Sequence, residues 1–108
     1  MKKLFVLLLT GALLLSAVPA FAQSGDSLNI VATIYPQYDF ARAVAGDVST
    51  VNLTMLLRPG AEMHSYEPTP QDIIAIRNAD LFLYVGGESD AWVAEILASM
   101  PDSGVKAM

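Results

Sequence analysis

The sequence contains no cysteine and only one histidine, His64, among its 108 residues. A chain without cysteine cannot form a disulfide, a thiolate metal site or a cysteine nucleophile. Its length is too short for two ordinary domains. Any imidazole chemistry within these residues must therefore use His64.

The amino terminus has the pattern of a secretory signal peptide. Two lysines precede an apolar run over Leu4–Val18, and Ala-Phe-Ala at positions 20–22 places small residues before a cleavage point. The run is short for a membrane span, and Pro19 ends it. We therefore predict a cleaved signal peptide over residues 1–22 and a mature chain that starts at Gln23. Because the lipobox cysteine of bacterial lipoproteins is missing, we expect a free periplasmic or extracytoplasmic protein.

Basic residues are scarce in the predicted mature chain. Loss of the leader removes two of the six lysines and arginines and none of the 11 acidic residues, which leaves a net charge of −7. This balance argues against nucleic acid and anionic membrane surfaces as partners. It is compatible with a cationic ligand, although an acidic surface is most often simply solubilising.

Strand patterns alternate with helix patterns along the mature chain. The predicted strands cover Ser27–Tyr35, Ser49–Leu57 and Asp80–Gly87. The first predicted helix runs from Pro36 and stops at Gly46, and the second starts at Pro70 with a cap formed by Thr69 and Asp72. The third is capped by Ser89, places Trp92 towards the core and ends at Pro101. This β-α-β-α-β-α order predicts the α/β class, with a parallel sheet and helices on both faces. Residues 104–108 resemble a turn into another strand, which indicates a piece of a longer protein that folds poorly alone.

Ligands of such sheets bind beyond the carboxyl ends of the strands. Tyr35-Pro36, the loop around His64 and Gly86–Ser89 are predicted at that edge. Imidazole is the commonest side-chain metal ligand, but a single histidine in a loop is more often an ordinary surface residue. Glu62 and Glu67 could supplement it, yet a zinc or manganese site needs three or four protein ligands. The residues alone leave both interpretations of His64 open.

Catalysis and nucleotide binding have weak support. There is no Gly-x-Ser-x-Gly sequence, and Ser65 adjoins His64 where neighbours rarely face each other, so we predict no enzymatic activity. Gly86-Gly87 opens a helix after a strand, as phosphate-binding turns do, but Glu88 and Asp90 would repel a phosphate. The alternatives are therefore a nucleotide- or small-molecule-binding α/β domain, or a non-functional truncated product.

The stretch PGAEMHSYEPTPQDIIAIRNADLFLYVGG, Pro59 to Gly87, resembles the metal-binding lipoprotein and adhesin-type solute-binding proteins of zinc and manganese ABC importers. Their hallmark is a Pro-Gly-x-x-x-His-x-Tyr/Phe-Glu-Pro loop, a capped helix and an Ala-Asp-Leu strand. IYPQYDFARAVAGD and SDAWVAEIL also match, so the resemblance covers Leu28 to Met108. It implies that His64 is the first of four metal ligands, with two more histidines and an acid usually following beyond Met108.

The resemblance also implies a two-lobed protein that holds the metal between its lobes, with residues 23–108 forming most of the first lobe. The expected transported ligand is a divalent metal, zinc first and manganese second, and the expected partner is the membrane permease of the importer. Glu62 is a supplementary candidate ligand. The family often has Asp-Pro before the histidine, where this chain has Glu62-Met63 and lacks the rigid proline.

Overall fold

The computed structural model describes residues 26–108, so the predicted signal peptide and its cleavage point lie outside the described residues. The strands are β1 (Leu28–Ala32), β2 (Val51–Met55), β3 (Leu81–Leu83) and β4 (Lys106–Ala107). The helices are α1 (Tyr35–Ala45), α2 (Pro70–Arg77) and α3 (Ala91–Ser99), and a 3-10 turn over Gly87–Asp90 precedes α3. The predicted alternation is confirmed, and β4 confirms the predicted entry into another strand.

The four strands form one parallel sheet in the order β2-β1-β3-β4. The pairing of β1 with β2 continues beyond β2, because the Leu56 and Leu57 N–H groups donate to the carbonyls of Ala32 and Thr33 at 2.9 and 3.0 Å. Since all strands run in one direction, the segments that follow them lie at one edge of the sheet. The predicted α/β class is confirmed, and β1 and β3 flank the point where the strand order reverses.

The core lies on the face of the sheet that α2 and α3 cover. Val31 and Phe82 of the sheet pack there with Ile76 of α2, Val93 of α3 and Met100. Phe82 and Ile76 are 0% exposed, and burial of each such side chain stabilises the fold by about 1.5–3 kcal/mol. Trp92 packs partly buried against this cluster, as predicted.

The opposite face carries α1 alone and is incompletely covered within residues 26–108. The connection through α1 goes from β1 to β2, in one direction along the sheet, whereas the connections through α2 and α3 go in the opposite direction, towards β3 and β4. Because such crossovers are right-handed, α1 lies on one face of the sheet and α2 and α3 lie on the other. An apolar groove of about 670 Å³ therefore lies between α1 and the sheet, lined by Ile30, Leu81 and Leu83 among others. Phe40 and Val44, which form an apolar stripe on α1, remain 74% and 89% exposed.

The ends of the helices test the predicted caps. Thr69 caps α2: the Asp72 N–H donates to Thr69 Oγ1 at 3.2 Å, and the Thr69 N–H donates to Asp72 Oδ2 at 2.8 Å. The predicted Ser89 cap is wrong, because the 3-10 turn intervenes and Asp90 occupies the cap position of α3 without a side-chain bond to that helix.

Among residues 26–108, no helix has the length and apolar character needed to span a membrane.

Candidate metal centre

The loop that carries His64 leaves β2 at the carboxyl edge of the sheet, as predicted. Its start is fixed by the buried side chain of Leu57. A tight turn follows, in which the Ala61 N–H donates to the Arg58 carbonyl at 2.9 Å. Pro59 and Gly60 occupy the two central positions, and Gly60 has φ 85°. This is the residue pattern of a type II turn, which needs a positive φ at its third position and favours proline at its second.

A second turn contains His64 itself. The Tyr66 N–H donates to the Met63 carbonyl at 3.3 Å, and the His64 N–H donates to Glu62 Oε1 at 3.1 Å. The backbone of His64 is therefore held on both sides, while its side chain is exposed. The Glu62 bond orders the chain at the position where the resembled family often has a proline.

The structure brings Glu62 next to His64, through a bond to backbone rather than to imidazole. No group of three or more His, Cys, Asp or Glu side chains that could hold a metal ion occurs in the described part of the chain. Zinc sites use three or four protein ligands. A zinc site that includes His64 therefore needs ligands from outside residues 26–108.

A polar anchor ties the far side of the loop to α2. The Tyr66 hydroxyl donates to Asp72 Oδ2 at 2.8 Å, and Thr69 Oγ1 donates to the same oxygen at 2.7 Å. The ring of Tyr66 lies edge-to-face against Trp92, with centroids 5.4 Å apart. Trp92 lies in turn 6.3 Å from the ring of the buried Phe82. The loop is thus connected, two residues after His64, to both the helix cap and the core.

The protonation states of this anchor follow from its surroundings. Burial, followed by the hydrogen bond to Asp72, raises the pKa of the Tyr66 hydroxyl well above its usual value. Burial also acts to raise the pKa of the Asp72 carboxyl, but the hydrogen bonds from Thr69 and Tyr66 outweigh it and hold that pKa below its usual value. At neutral pH, Tyr66 is therefore a donor and Asp72 a charged acceptor.

The Gly86 turn does not offer a phosphate site. The buried Asp90 carboxylate accepts the N–H groups of Val85 and Gly86 through Oδ2, at 2.6 and 3.3 Å. These are the backbone donors that a bound phosphate would need, and the carboxylate adds a repelling charge. The geometry therefore disfavours the nucleotide-binding alternative.

The sequence alone did not indicate these two uses of carboxylates. From the sequence, Asp90 is only a charge that repels phosphate, and Asp72 is only part of the α2 cap. A signal existed in each case: Asp90 follows Gly86 by four residues, and Tyr66 precedes the cap residue Asp72 by six. Both spacings allow a side chain to reach back to the preceding turn.

Residues 30–108 match the family described as zinc-uptake complex component A, periplasmic. The chain belongs to this family. The resemblance that the His64 loop carried is thereby confirmed, since the matched residues include the loop, α2 and the strands on both sides.

The proteins similar to this chain include two that are named for zinc. The zinc-binding lipoprotein AdcA of Streptococcus pneumoniae is 39% identical over 107 residues, which are 98% of this chain and 21% of the relative. The high-affinity zinc uptake system protein ZnuA of Bacillus subtilis is 41% identical over 76 residues, 70% of this chain and 23% of the relative.

The crystal structure of the Zn(II)-bound ZnuA-like domain of Streptococcus pneumoniae AdcA aligns with a TM-score of 0.67 and 39% identity, over 76% of this chain and 30% of that one. This chain therefore spans less than a third of the length of each protein. The parallel sheet and its flanking helices are those of a ZnuA-like solute-binding domain.

Proposed function

We propose that the chain is part of the extracytoplasmic solute-binding component of an ABC importer, which captures a divalent transition metal and delivers it to the membrane permease. The observation that supports this most directly is His64, an exposed imidazole on an ordered loop at the edge of the sheet where ligands bind. Family membership supports the same function.

His64 is the metal ligand in this proposal, and Glu62 is the supplementary candidate. Residues 1–22 are the signal peptide, and residues 23–108 form most of the first lobe. The remaining ligands come from outside residues 26–108, on a second lobe across the metal. Closure of two lobes around the ion then produces a shape that the permease distinguishes from the empty protein.

Zinc is the first choice of metal and manganese the second. Imidazole nitrogen suits zinc, whereas carboxylate and water oxygen suit manganese, and the loop offers one nitrogen ligand with acids nearby. The names of the relatives AdcA and ZnuA refer to zinc. The metal is a transported substrate here, so we propose no enzymatic role.

The remaining partners follow from charge and composition. The net charge of −7 in the mature chain disfavours nucleic acid and anionic lipid surfaces, so contact with the membrane is proposed only through the permease. The sequence has no cysteine, whereas one of its relatives is named a lipoprotein. We therefore propose a protein that is free in the periplasm or the extracytoplasmic space.

Calorimetric zinc titration of the full-length protein tests this proposal. Replacing His64 by alanine should weaken zinc binding by about tenfold or more, since even the loss of outer-shell partners costs about 10–100-fold. Glu62→Gln keeps an oxygen that accepts the His64 N–H but removes the carboxylate charge, so it separates ligation from loop capping. Equal zinc affinity of the wild-type and His64→Ala proteins would overturn the assignment. Tighter binding of manganese than of zinc would reverse the choice of metal.

A further inference from the structure

The contacts of Tyr66 give it a role beyond packing. We propose that Tyr66 and Asp72 are positioning residues for His64, and that the bond from the Tyr66 hydroxyl to the Asp72 carboxylate holds the imidazole-bearing loop in its binding conformation. This inference rests on the proposed function, in which His64 binds the metal. Neither residue is proposed to contact the ion.

The need for an anchor comes from the length of the connection. Residues 56–69 join β2 to α2 without regular secondary structure. Each residue held in one backbone conformation costs about 1–2 kcal/mol of conformational entropy, so a loop of this length stays ordered only where contacts offset that cost. Leu57 fixes the start of the loop and Thr69 fixes its end. His64 lies in between with an exposed side chain, so its own packing contributes little to its order.

Tyr66 supplies the fixed point nearest to His64 on the α2 side. Two residues span at most about 7 Å of extended chain, so restraint of Tyr66 directly limits where His64 can move. The turn in which the Tyr66 N–H donates to Met63 shortens that path further and encloses His64 between the two bonded residues. The tyrosine is therefore coupled to the histidine through backbone geometry rather than through a side-chain contact.

The anchor itself is rigid because both of its ends are held. The hydroxyl donates to a charged carboxylate, which is the stronger class of hydrogen bond. Asp72 is fixed by its reciprocal bonds with Thr69 at the start of α2. The aromatic ring is held separately by Trp92. Loss of the hydroxyl would thus release the polar end of the anchor and leave the aromatic end in place.

A held loop matters for metal affinity because ligands must meet the ion in a narrow range of geometries, within about 0.5 Å. A mobile loop has to be ordered when the ion binds, and the free energy of that ordering is subtracted from binding. The anchor orders the loop before the ion arrives. We therefore expect the Tyr66 hydroxyl to affect zinc affinity without contacting zinc.

The test compares Tyr66→Phe with Tyr38→Phe in the full-length protein. Both changes remove one hydroxyl, but Tyr38 lies on α1, outside the loop that carries His64. The two measurements are the ¹⁵N heteronuclear NOE of the His64 amide and the zinc affinity by calorimetry. The His64 amide signal is assigned by its absence from the spectrum of His64→Gln. Tyr66→Phe should lower the NOE and weaken zinc by about three- to tenfold, less than the loss of a direct outer-shell partner. Tyr38→Phe should change neither quantity.

Asp72→Ala provides a second route to the same anchor if the aromatic variant folds poorly. Tyr66→Phe and Asp72→Ala both remove the bond between the Tyr66 hydroxyl and the Asp72 carboxylate. The variant that carries both changes should therefore have the same heteronuclear NOE at His64 and the same zinc affinity as Asp72→Ala alone. The proposal is overturned if Tyr66→Phe behaves like Tyr38→Phe in both measurements, or if the effects of Tyr66→Phe and Asp72→Ala simply add in the double variant. Either result would overturn the positioning role without overturning the proposed function, because the loss of zinc affinity in His64→Ala tests that function separately.

Discussion

Replacement of Asp72 by alanine should destabilise α2 by about 2 kcal/mol at neutral pH. The change removes the return bond of the capping box from the Thr69 N–H, the bond from Thr69 Oγ1 and the bond from the Tyr66 hydroxyl, all of which end on Oδ2. Loss of a cap costs about 0.5–2 kcal/mol, and a hydrogen bond to a charged group contributes about 1.5–3 kcal/mol. Since one oxygen serves all three donors at the protein surface, these contributions do not add fully, and about 2 kcal/mol is the expected total.

The difference between wild type and variant should depend on pH in a defined direction. The pKa of the Asp72 carboxyl is lowered in the folded state, against burial, by the hydrogen bonds from Thr69 and Tyr66. A group with a depressed folded pKa contributes stability that is complete above its unfolded pKa, about 3.9, and is lost as the pH falls through the folded value. The destabilisation caused by Asp72→Ala should therefore be full at pH 7 and shrink below about pH 4.

Hydrogen exchange measured by mass spectrometry on peptides that cover α2 provides the assay, because it reports local opening. A loss of about 2 kcal/mol corresponds to exchange about 30 times faster at pH 7. Asp39→Ala is the matched control, since it also removes an aspartate from a helix but breaks bonds within α1, those from Arg42 and from the Tyr35 hydroxyl. Unchanged exchange of α2 in Asp72→Ala, or an equal acceleration at pH 7 and pH 3, would refute the reasoning.

Two further predictions concern the leader and the core. Intact-mass measurement of the exported protein should show a chain that begins at Gln23, and a chain that retains residues 1–22 would contradict the predicted signal peptide. In the full-length protein, Phe82→Ala should lower the free energy of unfolding by about 3–5 kcal/mol, because this fully buried ring leaves a cavity, whereas Glu95→Ala, at an exposed polar position of α3, should change it by less than about 0.5 kcal/mol. Urea unfolding measures both, and similar losses for the two variants would contradict the described core.

Local signals made much of this fold predictable. Strand patterns found β1, β2 and β3, and the alternation with helices predicted a parallel sheet, because only a crossover of helical length returns a strand to the same direction. The α2 cap was predictable to the residue, since Thr69, Pro70 and Asp72 each act on the first turn alone. The position of His64 at the carboxyl edge followed from this topology.

The differences arose where contacts outside the helix itself decide the outcome. Ser89 has the chemistry of a cap, but the Asp90 carboxylate bonds the Val85 and Gly86 amides and the chain there forms a 3-10 turn instead. The apolar stripe of α1 fits a buried helix, yet its burial depends on what packs against that face of the sheet. Periodicity shows which residues share a face and does not show what covers it.

The proposed function gives a physical explanation for the placement of the single histidine. Its backbone is ordered from both sides, by Glu62 before it and by the Tyr66 anchor after it, while the imidazole stays exposed. A core histidine would be buried with its nitrogens bonded, and an ordinary surface histidine would not need a held backbone. A metal ligand that binds an ion together with ligands from elsewhere needs an ordered backbone and an exposed side chain. Since the described residues contain no group of three ligands, His64 in the proposed function binds zinc only together with groups beyond them. On that proposal, the order of its loop is the part of metal affinity that these residues control.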